Sequence, residues 1–130
     1  MAATQQTLFR VVQIFKGNIV QDLVLREPKP ITLGVHNEFN LVAPIPGREL
    51  GHVIFAPVQG GRYELNLPVA DGQPVLSGEL TRADGSTAPS DALLQQGGRV
   101  QLAPGDWGRF QVVGADDVEV FCQYVRIPIS

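Results

Sequence analysis

Two histidines, one cysteine and one pair of adjacent carboxylates are the residues of this 130-residue chain whose types could carry acid–base, nucleophilic or metal chemistry. A nucleophile needs a base within reach and a third group that orients the base. Neither histidine lies in such a motif. His36 stands among polar neighbours in Val35-His36-Asn37-Glu38, the setting of a solvated loop, and His52 opens an apolar run where backbone groups satisfy an imidazole. The histidines and the scattered carboxylates lack metal-ligand spacing, and Asp116-Asp117 reads as a solvated bend because adjacent side chains diverge.

Cys122 is the only cysteine, which excludes an intrachain disulfide, and its run Val120-Phe121-Cys122 is that of a small buried hydrophobe. Gly60-Gly61 and Gly97-Gly98 lack the Lys and Ser/Thr of a phosphate cradle and precede strands rather than helices. The expectation is therefore a protein that is not an enzyme, with no catalytic residues, no cofactor and no metal. Binding residues are easier to nominate. Ile45, Arg48 and Leu50 in a Pro-rich loop, with Trp107 and Arg109 around a Gly-Asp turn, are of the kinds that anchor protein interfaces. Two readings of Trp107 stay open: an exposed anchor, or an indole folded back over the edge of the core.

The elements that must position these residues are short. Fourteen Gly and ten Pro accompany 44% hydrophobic and 18% charged residues, so the Gly and Pro punctuate strands rather than mark disorder. One domain is expected over residues 7–130, after a flexible tail over 1–6. Strands are predicted over Thr7 to Phe15, Ile19 to Arg26, Ile31 to Gly34, Phe39 to Val42, His52 to Val58, Arg62 to Leu67 and Val75 to Leu80, and then over Val100 to Ala103, Gly108 to Val113 and Val118 to Ile127. Lys16-Gly17-Asn18 makes the first two a hairpin. Pro57 puts its strand at an edge or places itself at a strand end. Ala83 to Ser90 is expected as a loop, and Ser90 as the cap of one helical turn over Asp91 to Gln96 that Gly97-Gly98 stops. About 9–11 short antiparallel strands at this turn spacing describe an all-β sandwich.

The net charge is −3 without a Lys/Arg cluster, so nucleic acid is not an expected partner. No apolar run reaches a membrane span and the first residues lack a signal-peptide pattern, which leads to the expectation of a cytoplasmic protein without membrane insertion.

Taken in order, Ile31-Thr32-Leu33-Gly34, Arg62-Tyr63-Glu64-Leu65, Asp71-Gly72 and Pro104-Gly105-Asp106 before Val112 and Phe121 resemble the outline of a forkhead-associated domain. That resemblance implies a β-sandwich of about eleven strands whose loops at one end read phosphothreonine. The departures are systematic. Val35 stands where the family has Arg, Arg48-Glu49-Leu50-Gly51 replaces the Ser-Arg run before His52, and Asp71-Gly72 stands near the expected Asn-Gly. A phosphate dianion needs fixed cationic and amide donors, so phosphothreonine reading at the usual site is not expected.

The chain is more closely similar to a degenerate domain that accompanies forkhead-associated domains in large myxobacterial envelope proteins, including those of the adventurous gliding-motility machinery. Lys16-Gly17, Pro30 to Gly34, Asn37-Glu38-Phe39, Gly61 to Leu65, Val100-Gln101-Leu102, Gly108-Arg109 and Val118 to Tyr124 carry that similarity. It implies a cytoplasmic, phosphate-independent scaffold for protein partners. A subunit that self-assembles through sheet edges, as a homo-oligomer, and an atypical phosphopeptide binder using Arg48, His52 or Arg62 are the alternatives.

Overall fold

The structure is a computed structural model that describes residues 4–43 and 51–129. Its strands are β1 (Gln5–Phe15), β2 (Asn18–Leu25), β3 (Ile31–Gly34), β4 (Leu41–Val42), β5 (Gly51–Val58), β6 (Arg62–Asn66), β7 (Val69–Ala70) and β8 (Gln73–Pro74). They continue with β9 (Leu76–Thr81), β10 (Thr87–Pro89), β11 (Arg99–Gln101), β12 (Trp107–Val112) and β13 (Val118–Pro128), while a 3-10 turn (Gln59–Gly61) and one helix, α1 (Ser90–Gln95), interrupt the series.

Two sheets carry the fold. Six strands run in the order β10-β9-β12-β13-β1-β2 and five in the order β11-β6-β5-β3-β4, with β7-β8 a separate hairpin. All pairings are antiparallel except β3 with β4. The all-β sandwich read from the sequence is the observed class.

Alternation built the facing surfaces. Tyr63, Leu65 and Leu67 are buried while Arg62, Glu64 and Asn66 are half-buried, the period-two pattern of a strand with one face on a core. From the opposite sheet, Phe9, Val11, Phe110, Val112, Val120 and Cys122 enter the same core. Phe9 stacks on Tyr63 with ring centroids 4.5 Å apart and meets Phe55 edge-on at 5.2 Å. The Tyr124 hydroxyl accepts from the Tyr63 N–H at 2.8 Å and donates to the Leu102 carbonyl at 3.2 Å, which ties the two sheets together. Burial pushes the Tyr124 phenol above its ordinary pKa.

Several local expectations are corrected. Gln5 and Gln6, assigned to a tail, pair in β1 with Pro128 and Ile127 because the last strand runs far enough to meet them. Phe39 and Asn40 are bends rather than strand, and the loop from Ala83 to Ser90 contains β10. Of the two positions expected for Pro57 the strand end is the observed one, since β5 ends at Val58 and has β3 and β6 as neighbours rather than lying at an edge. Pro89, not Ser90, occupies the N-cap of α1, and the Ser90 hydroxyl is turned away to accept from the Gly78 N–H at 3.1 Å.

The Pro104-Gly105-Asp106 turn is held by its own carboxylate. Asp106, 5% exposed, accepts from the Ala83 N–H at 2.9 Å, the Ala103 N–H at 2.8 Å and Arg82 Nη1 at 2.8 Å. This ion pair fastens the entry of β12 to the end of β9.

Candidate functional site

Of the five residues nominated from the sequence, Ile45, Arg48 and Leu50 lie outside the described residues. Trp107 and Arg109 come together on one surface. Both belong to β12, two positions apart, and therefore point to the same side of the six-stranded sheet, away from the core. Trp107 is 42% exposed. The expected tight turn there is corrected: Trp107 begins a strand, and its indole lies on the outer sheet face rather than over the core edge.

Cross-strand register assembles the neighbourhood. Trp107 is opposite Gln123 and Thr81, Arg109 opposite Phe121 and Glu79, and Gln111 opposite Glu119 and Ser77. The Trp107 and Phe121 rings lie 6.0 Å apart at a tilt. Farther across the sheet Val12 is opposite Phe121 on one side and Asp22 on the other, and it is only 3% exposed although it faces outward. The outer face thus has an apolar ridge of its own.

Charges frame that ridge. Arg109 donates to Glu119 Oε2 through Nε at 3.1 Å and Nη2 at 2.6 Å. Arg10 donates to both Asp22 oxygens, at 2.8 and 2.6 Å, and these hydrogen bonds hold the Asp22 carboxyl below its ordinary pKa. Between β9 and β13 a shallow hollow of about 350 Å³ is lined by Thr81, Glu79, Trp107, Arg109, Gln111 and Glu119. Two carboxylates flank one guanidinium, so the hollow is acidic on balance.

The segment from β3 to β4 is organised by its own side chains. Val35 is half-buried and packs on the core. The preceding glycine has a steric cause: a β-carbon at Gly34 would stand 2.1 Å from Phe39 Cδ2. Asn40 closes the same bend, its Oδ1 accepting from the Thr32 N–H and hydroxyl at 3.0 Å each. The segment is then tied across the sandwich by Gln21 Nε2 to the Asn40 carbonyl at 2.7 Å and by Gln13 Nε2 to the Val42 carbonyl at 2.8 Å. Nearby, Phe15, Val20, Val42 and Val118 line an open groove of about 410 Å³ whose surface is mostly apolar.

His36 is exposed among the bends between β3 and β4, and His52 is half-buried on β5, opposite Leu33. Cys122 is buried, and desolvation pushes its thiol up to about 12. Among the described residues no group of three or more His, Cys, Asp or Glu side chains is placed to hold a metal ion. No helix among them is long and apolar enough to cross a membrane. The outer-face ridge had only a partial sequence signal: Trp107 and Arg109 were nominated, whereas Phe121 and Glu79 join them through register. No family model, no curated protein and no solved structure matches the chain.

Proposed function

We propose that the chain is a non-catalytic protein-interaction module of the forkhead-associated type that binds a partner through the outer face of its six-stranded sheet. The observation that carries this reading is the exposed Trp107 beside Phe121 on a rigid strand face, with an acidic hollow at its flank. An aromatic with few torsions buries large area at low entropic cost, which is why Trp dominates interface energetics. Glu79 and Glu119 outnumber Arg109, so the complementary partner carries a Lys or Arg beside an apolar residue, and that cation can also rest on the indole face.

Two further observations support the family and phosphate-independence at its usual end. The two main sheets contain six and five strands, the number the resemblance implies. Val35, where an arginine would read phosphate, packs on the core as a hydrophobe. A scaffold needs neither nucleophile nor metal, and a cytoplasmic setting fits a chain with one buried thiol.

Trp107 is the only tryptophan, so its emission reports on occupancy of this face. Affinity capture with the native chain is compared with Trp107→Ala and Glu79→Lys. Loss of the same partners from both variants, with salt-sensitive binding to the native chain and a blue shift of Trp107 emission on adding the isolated partner, is expected. Partners retained in full by Trp107→Ala would refute the assignment.

A further inference from the structure

We infer that the end of the sandwich where β1 begins and β13 finishes binds a phosphoryl oxyanion through Arg62, Arg26 and Thr7, with Arg126 at its rim. This site is separate from the Trp107 face and does not depend on it.

Register brings these residues together from four segments. Thr7 on β1 is directly opposite Arg126 on β13. Two residues on, Phe9 is opposite Leu25, the last residue of β2, so Arg26 leaves that strand close to Thr7. Arg62 opens β6 in the facing sheet, opposite Val58. Between the sheets a cleft of about 90 Å³ has Thr7, Arg26, Gly61 and Arg62 on a wall otherwise made by the apolar Leu8, Phe9, Leu25 and Pro28 and by Tyr63. A second cleft of about 190 Å³ shares Thr7, Gly61 and Arg62 and adds Tyr124. No carboxylate lines either cleft.

Among the described residues Arg10, Arg82 and Arg109 each pair with a carboxylate, at 2.6, 2.8 and 2.6 Å, whereas Arg26, Arg62 and Arg126, like Arg99 on β11, form no ion pair. Arg62 is half-buried and has no carboxylate partner among the described residues. An anion in the cleft would supply the counter-charge.

Shape and chemistry select the anion. The smaller cleft, at about 90 Å³, is of a size to admit one small tetrahedral oxyanion rather than a larger ligand. A planar carboxylate is satisfied by one bidentate guanidinium, whereas cations arriving from separate elements, with a threonine on the same wall, suit the several oxygens of a phosphoryl group. Free phosphate and a phosphorylated side chain share this chemistry.

The test is a titration of the isotope-labelled chain followed by amide NMR at fixed ionic strength, with inorganic phosphate in one arm. The other arms are a phosphorylated peptide and its unphosphorylated form. Saturable shifts at Thr7, Gly61 and Arg62 are expected with phosphate, weakened at least tenfold in Arg62→Gln and in the exposed Arg26→Gln, and unchanged in Arg99→Gln on β11. A phosphopeptide that binds more tightly than phosphate assigns the ligand to a protein; equal binding assigns it to the free ion. Absence of saturable shifts with phosphate, or shifts that persist unchanged in both Arg26→Gln and Arg62→Gln, would overturn the inference.

Discussion

Gly34, at the end of β3, is held to glycine by the ring of Phe39 in the bends that follow. Gly34 is buried and has no left-handed φ, so the requirement for glycine is one of space. A β-carbon there would meet Phe39 Cδ2, Cε2 and Cγ at 2.1, 2.4 and 2.5 Å. Carbon atoms rest about 3.5–4.0 Å apart, so in Gly34→Ala the ring must retreat by roughly 1.5 Å. Overpacking of this kind costs about 1–3 kcal/mol.

Phe39→Ala alone removes a half-buried ring, at a cost of about 1–2 kcal/mol. With the ring gone, the added methyl has room. The double variant is therefore expected to be more stable than the sum of the single losses allows, by about 1–2 kcal/mol. Urea denaturation followed by Trp107 emission and by far-ultraviolet circular dichroism measures each corner of the cycle. With a slope of about 1–3 kcal/mol per molar urea, the Gly34→Ala midpoint falls by roughly 1 M. Additive losses within about 0.5 kcal/mol would refute the steric account and leave the glycine without this explanation.

Other perturbations test the frame around the sites. Asp106→Ala leaves the Ala83 and Ala103 N–H groups without their acceptor and frees Arg82, so calorimetry is expected to record a loss of about 2–4 kcal/mol; a loss below about 1 kcal/mol would show that the turn holds without its carboxylate. The Cys122 thiol, raised to about 12 from an ordinary 9.0, is expected to resist alkylation in the native chain at pH 8 and to react once denatured. Its folded pKa lies above its unfolded one, so this stabilisation is fully present below pH 9.0 and is lost as pH rises toward 12. A Cys122→Ala variant whose stability falls as steeply as the native chain's over that window would assign the loss to other groups.

Much of the fold was legible because strand signals are local. The alternation Tyr63, Leu65, Leu67, the turn at Lys16-Gly17 and the breaks at Asp71-Gly72 and Pro104-Gly105 each depend on a few consecutive residues, and they place strands without knowledge of their partners. The small elements were missed for the same reason. The three-residue β10 has no period of its own, and pairing with β9 alone makes it a strand. Ser90 looked like a helix cap because its neighbours are helical, but the Gly78 N–H on β9 competes for the hydroxyl.

The sequence by itself determined an all-β chain with its one thiol in an apolar run, and it offered Trp107 and Arg109 as candidate contact residues. Tertiary structure decided where those two side chains point and what joins them. Phe121 reaches Trp107, and Arg62 reaches the cleft that Thr7 and Arg26 line, only through register between strands far apart in the chain. A one-residue slip would turn each of these side chains to the opposite face. Local pattern fixes that a strand forms and which of its faces is apolar; the closed sandwich alone fixes which outward residues become neighbours.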